Sequence, residues 1–111
     1  MRTAIVLIAL IAACNDDDVS RTLGARCDRT DDCADRCLGP NGDYPDGFCS
    51  VDCLSSGECP SDAQCVDREG GVCLFSCREP RDCEFLGPKW TCKEDNDRGD
   101  PNRKVLVCRG D

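Results

Sequence analysis

Thirteen cysteines are the residues of this 111-residue chain best placed to do chemistry, and histidine is absent. Cysteine sulfur can bridge, bind soft metals or attack as a nucleophile. Without histidine the Cys-His and Ser-His-Asp nucleophile systems are missing, and so is the commonest metal ligand. No two cysteines stand at Cys-x2-Cys spacing, which removes zinc-ribbon and thioredoxin-like motifs. Glycine-rich phosphate loops are absent as well. Carboxylate pairs such as Asp31-Asp32 and Asp43/Asp46 are plentiful, but a glycosidase pair needs a cleft that units this small rarely build. The expectation is a protein without enzyme activity, cofactor or metal centre, whose sulfur chemistry is bridging.

The spacing of the cysteines is periodic. Twelve of them fall into three groups of four: Cys27, Cys33, Cys37 and Cys49; Cys53, Cys59, Cys65 and Cys73; Cys77, Cys83, Cys92 and Cys108. Within every group five residues separate the first cysteine from the second. Successive groups join through three residues, Ser50-Val51-Asp52 and Leu74-Phe75-Ser76. The residue before the second cysteine is always acidic (Asp32, Glu58, Asp82), and the residue before the fourth always apolar (Phe48, Val72, Val107). A shared register of this kind is the mark of an internal repeat. Four cysteines allow three pairings per unit. First with third and second with fourth is the expected one, because third with fourth would only cross-link a hairpin to itself. The pairs are then Cys27-Cys37, Cys33-Cys49, Cys53-Cys65, Cys59-Cys73, Cys77-Cys92 and Cys83-Cys108. Each bridge contributes about 3 kcal/mol, mostly by restricting the unfolded chain.

The elements that must position these sulfurs follow from the gaps between them. In the second unit, β-prone runs at Ala63–Asp67 and Val72–Phe75 flank Arg68-Glu69-Gly70-Gly71, a hairpin pattern. In the third, residues 89–93 and 104–108 flank a long loop over 94–103. The first unit carries Pro40-Asn41-Gly42-Asp43-Tyr44-Pro45-Asp46-Gly47, dense in turn residues. The constant Cys-x5-Cys segment reads as a loop or one helical turn laid against the hairpin. The fold class expected is small and disulfide-rich. It has three tandem four-cysteine units over 27–49, 53–73 and 77–108, each a loop or helical turn plus a short antiparallel β-hairpin, with little regular secondary structure. Units of this size cannot offset their ordering entropy by apolar burial alone, so each is expected to be nearly autonomous, held by its own bridges. Trp90, Phe85, Leu74 and Phe75 are expected to pack over the disulfides as a sparse core.

The thirteenth cysteine, Cys14, stands apart. It ends an apolar run from Ala4 to Ala13 that follows a single positive charge at Arg2. That run is too short to span a bilayer, which takes about 20 residues, and it has the n-region, h-region and small-residue end of an export signal. Its last residues, Ile11-Ala12-Ala13-Cys14, resemble a bacterial lipobox. The resemblance implies removal of a signal peptide over 1–13 and attachment of lipid to Cys14. It also implies a lipoprotein anchored in a bacterial cell envelope. In enteric-type sorting an Asp after the lipidated cysteine favours the inner membrane; Asn15 stands here, which leans towards the outer membrane. Residues 14–26 read as a lipidated tether, of which the polar segment Asn15 to Ala25 has a reach on the order of 35–40 Å when fully extended. Twelve cysteines in so short an exported chain also fit an oxidising compartment. Cysteine-rich repeats behind a lipobox are similar to those of many Gram-negative surface lipoproteins. The four-cysteine opening distantly resembles the N-terminal module of Dickkopf-type proteins, on spacing alone and with no functional residue carried over.

The net charge of −8 speaks against nucleic acid as a partner and for solubility, cationic partners or divalent ions. Asp95, Asp97 and Gly99 start a calcium-loop pattern, but Val105 stands where its final Glu is needed. Arg98-Gly99-Asp100 and Arg109-Gly110-Asp111 repeat an integrin-type tripeptide, both expected to be exposed. The function expected is a non-enzymatic binding or structural module with a protein or envelope partner. The alternatives are a protease-inhibitor or toxin-like effector and a calcium-dependent adhesin.

Overall fold

The computed structural model describes residues 19–111, so the expected signal peptide and Cys14 lie outside the described residues. The chain is a small disulfide-rich fold of three antiparallel hairpins: β1 (Arg36–Leu38) with β2 (Phe48–Ser50), β3 (Ala63–Val66) with β4 (Val72–Phe75), and β5 (Trp90–Asn96) with β6 (Lys104–Gly110). A 3₁₀ turn precedes each hairpin, at Thr30–Asp32, Ser56–Glu58 and Pro80–Leu86. In every hairpin the third and fourth cysteines stand directly opposite one another: Cys37 and Cys49, Cys65 and Cys73, Cys92 and Cys108. Cross-strand partners project from the same face of a sheet, so both sulfurs of a pair meet the Cys-x5-Cys segment lying on that face.

The acidic residue before each second cysteine holds that segment in shape. Asp32 Oδ2 accepts the N–H groups of Asp28 (2.9 Å) and Arg29 (3.3 Å). Asp82 Oδ2 accepts those of Arg78 (2.8 Å) and Glu79 (3.2 Å), and Glu58 Oε1 accepts that of Leu54 (2.9 Å). A carboxylate three or four residues on satisfies amides at the start of a turn that have no backbone partner.

The constant spacer also has a structural cause. The residues at or just before each first cysteine act as a short lead strand, held to the last strand of that unit's hairpin by one or two backbone hydrogen bonds outside the three two-stranded sheets. The Cys49 N–H donates to Ala25 C=O (2.8 Å), the Cys73 N–H to Val51 C=O (3.2 Å), and the Cys77 N–H to Leu106 C=O (3.1 Å). Three residues are what the chain uses to leave β2 or β4 and pair with the last strand of the next unit. Ser50, buried in the first spacer, donates its hydroxyl to Cys73 C=O at 2.7 Å.

One buried cluster runs through all three units, contrary to the expectation of near autonomy, while Cys27, Cys33 and Cys49 form a second, smaller one in the first unit. Phe48, Val72 and Val107 have no exposed surface. The Phe48 ring lies 5.8 Å from that of Phe75, edge-on, and 5.4 Å from that of Trp90. Phe48 of the first unit, Phe75 at the end of β4 in the second spacer and Trp90 of the third unit thus meet in a single aromatic cluster. Leu74, Phe75 and Trp90 are buried, whereas Phe85 packs its ring 5.3 Å from Phe75 and stays 48% exposed. Residues 19–26, expected in a solvated tether, are folded: Leu23 is buried, Gly24 N–H donates to Cys49 C=O, and Ala34 N–H donates to Arg21 C=O. A Cβ at Gly24 would stand 2.7 Å from the Phe75 ring, so this lead strand is seated on the second unit. Strand β5 also runs further than expected, taking Glu94, Asp95 and Asn96 out of the long loop. The register continues because Val66 bridges to Asp97 and the Asp67 N–H donates to Asn96 C=O at 2.9 Å. Among the described residues no helix is long and apolar enough to cross a membrane.

Candidate functional site

Each unit carries two bridges, first to third and second to fourth: Cys27–Cys37 and Cys33–Cys49, Cys53–Cys65 and Cys59–Cys73, Cys77–Cys92 and Cys83–Cys108. The two bridges of a unit lie side by side, so that the sulfurs of Cys27, Cys33 and Cys37 fall within 4.8 Å of one another. These sulfurs are committed to disulfides.

Glycine marks the closest approach of the strands. Gly47 and Gly71 both precede their fourth cysteine by two residues and have positive φ (83° and 109°). A Cβ would stand 1.8 Å from Cys27 O at the first and 2.3 Å from Cys53 O at the second. The third unit has Leu106 at the same place, half-exposed.

The acidic residues of the calcium-like stretch face arginines. Asp95 lies 2.8 Å from Arg68 Nε and 3.0 Å from Arg109 Nε. Asp97 is buried with Oδ2 3.1 Å from Arg103, while its Oδ1 has no hydrogen-bond partner. The two arginines at Asp95 also reach Asp43, Arg109 at 2.8 Å and Arg68 at 3.4 Å. Asp43 belongs to the first unit, Arg68 to the second, Asp95 and Arg109 to the third, so four charges tie the three units together. The Arg109 and Asp95 side chains are only 11% and 12% exposed. Burial works against the charge of Arg68, but the hydrogen bond and charge of Asp95 outweigh it and hold its pKa above the ordinary value. Tyr44, buried beside this cluster without a partner for its hydroxyl, has its pKa raised, first by burial and then by the charge of Glu69.

The C-terminal tripeptide is part of this junction, not an exposed motif. Arg109 is ion-paired, and Gly110 is buried, with a Cβ there only 1.8 Å from Gly42 O. Gly110 N–H donates to Asp43 C=O at 2.7 Å, and Asp111 N–H to Lys89 C=O at 3.0 Å. In the other tripeptide Gly99 and Asp100 are exposed, while Arg98 leans towards Gly70 C=O (3.4 Å) and Asp67 (3.9 Å).

Two adjoining clefts open on the third unit, and the first unit walls one of them. One, of about 540 Å³, lies between Pro40, Pro45 and Asp46 on one side and Pro88, Lys89 and Asp111 on the other. The second, of about 530 Å³, shares Pro88 and Asp111 and adds Pro80, Glu84 and Trp90. Nothing in the cysteine register points to this groove. The only sequence signal is the density of proline in the two segments that depart from the repeat.

Comparison with protein-family models, with curated proteins and with solved structures finds no match for this chain.

Proposed function

We propose that this protein is an exported, lipid-anchored, non-enzymatic module that displays a rigid cysteine-rich body at a bacterial cell envelope. The observation that carries the reading is the division of its sulfur. Twelve of the thirteen cysteines pair among themselves within residues 27–108, so none of them remains to bridge to Cys14. That remaining cysteine directly follows the apolar run of a lipobox-like signal. Disulfides on this scale fit an oxidising compartment, and the acidic composition disfavours nucleic acid. Asn15 after the lipid carrier favours the outer membrane.

The packing of residues 19–26 sets the stand-off. Five backbone steps separate Cys14 from Val19, so the folded body begins at most about 18 Å from the lipid carrier. Half the reach expected of the whole tether is thereby lost, and the module sits close against its membrane. Two or more acyl chains on Cys14 would hold it there firmly.

Intact mass of the membrane-extracted protein tests the reading. A chain beginning at Cys14, carrying acyl mass, and gaining about 12 Da on reduction as six bridges take up two hydrogens each is the expected result. A Cys14→Ser variant is expected to keep its signal and leave the membrane fraction. Native protein without acyl mass on Cys14 overturns the anchor.

A further inference from the structure

We propose that the groove made by these two adjoining clefts, one between the first and third units and one on the third, is a docking site for an extended peptide segment carrying an arginine or lysine side chain. The inference deepens the reading of the protein as a binding module and does not depend on the lipid.

The walls of the groove are the first argument. Four of the six prolines of the chain line it: Pro40, Pro45, Pro80 and Pro88. Pro40, Pro80 and Pro88 are exposed, while Pro45 is buried at the base; proline rings are apolar, fixed in φ and without an N–H, so the exposed three offer rigid surface that costs little entropy to cover. Charge is the second argument. Asp46, Glu84 and Asp111 carry three carboxylates at the groove against the single ammonium of Lys89. The Arg26 guanidinium approaches Gly87 nearby but is not part of the lining. An arginine or lysine lays an apolar stem along such rings and carries its cation to the carboxylates. The volume of each cleft lies within the roughly 300–1,000 Å³ of ligand sites.

The third argument is position. The segments that build the groove are those in which units one and three break the repeat. One is the eleven-residue gap from Cys37 to Cys49; the other is the long 3₁₀ turn with Gly87-Pro88 behind it. The second unit, with the shortest gap between third and fourth cysteines, supplies no lining residue. Insertions in repeat proteins gather on one face, often the binding face. The face is also pre-organised, because Gly110 and Arg109 lock the first unit's loop to β6.

The test uses the full oxidised chain, purified from membranes in detergent and ¹⁵N-labelled. The probe is a blocked Ser-Gly-Arg-Ser-Gly pentapeptide, set against the same peptide with Glu in place of Arg. The arginine peptide is expected to give saturable amide shifts at Asn41, Asp46, Lys89 and Thr91, and the glutamate peptide none. Asp46→Asn and Glu84→Gln should each weaken binding about two- to fivefold, as for an exposed ion pair. Asparagine suits the positive φ of Asp46 (67°), so that variant folds. Three outcomes overturn the proposal: equal shifts from both peptides, unsaturable shifts spread to Asp28, Asp31 and Asp62, or no shift at millimolar peptide. Acyl mass on Cys14 with no peptide response removes the groove alone; a peptide response without acyl mass removes only the anchor.

Discussion

Replacing Phe48 by alanine removes the ring that touches both other units. Phe48 has no exposed surface, and burying such a side chain contributes about 1.5–3 kcal/mol. Its contacts with Phe75 (5.8 Å) and Trp90 (5.4 Å) add about 0.5–1.5 kcal/mol each. The expected loss is therefore about 4 kcal/mol, inside the usual range for Phe→Ala. What matters more is where the loss is felt.

Trp90 is the only tryptophan, and it lies in the third unit. Its fluorescence during urea unfolding of the disulfide-intact protein therefore reports a unit that the substitution does not belong to. A shared core requires the Trp90 transition to move to lower urea with the full loss. Hydrogen exchange should show the same fall in protection at Cys73 and Cys77, whose amides are bonded within the second and third units. A Phe48→Leu control, which keeps most of the volume, is expected to lose no more than about 1.5 kcal/mol. If the Trp90 transition stays in place while only amides of the first unit lose protection, the units are separate and the shared cluster is refuted.

Gly71→Ala should destabilise far more than Gly70→Ala, because only the first Cβ meets a neighbour, at 2.3 Å from Cys53 O; thermal melts of the two variants compare them directly. Gly70→Ala bears the strain of its positive φ alone, about 1 kcal/mol. Asp32 and Asp82 have their pKa lowered by the backbone N–H groups they accept. Their contribution is therefore complete above the ordinary value of 3.8 and is lost as pH falls through the depressed one. Urea midpoints should drop in that acid range, and Asp82→Ala should make the drop shallower. Arg109→Ala leaves the nearly buried Asp95 short of one of its two cations and is expected to cost about 1–3 kcal/mol in denaturant unfolding; an unchanged midpoint would remove the ion cluster from the account.

The period of the cysteines was legible because a repeat imposes the same geometry three times, and residues that serve that geometry recur with it. Phe48, Val72 and Val107 recur because one buried position per hairpin faces the common core. Asp32, Glu58 and Asp82 recur because each Cys-x5-Cys turn leaves the same amides to satisfy. Their regularity was visible in the chain, but the capping that explains it was not. Gly47 and Gly71 hold matching positions as well, yet Leu106 breaks the series and hides the steric rule behind it. Leu23 gave little sign of burial, since a lone leucine in a polar stretch has no period. The Asp43–Arg109 pair lies 66 residues apart and belongs to no motif. Local and periodic features could be read; contacts between units could not, since they depend on how the units are oriented.

That orientation has no covalent hold beyond the backbone. All six bridges close within a unit, over separations of 10 to 25 residues, and none crosses from one unit to another. The bridges therefore make each unit rigid but say nothing of how the units sit together. Three devices do so instead: the short lead strands, the Phe48–Phe75–Trp90 cluster, and the four charges of Asp43, Arg68, Asp95 and Arg109. The second cleft of the groove is lined by the third unit and Asp111 alone, but the first exists only between units, with one wall from residues 40–46 and the other from Pro88, Lys89 and Asp111. It depends on the non-covalent devices and not on the sulfur. Weakening the ion cluster should then loosen the groove while every disulfide stays closed. The contacts that hold this cleft open are thus the same ones that resist unfolding, so weakening them is expected to move both together, whereas the disulfides fix only the units themselves.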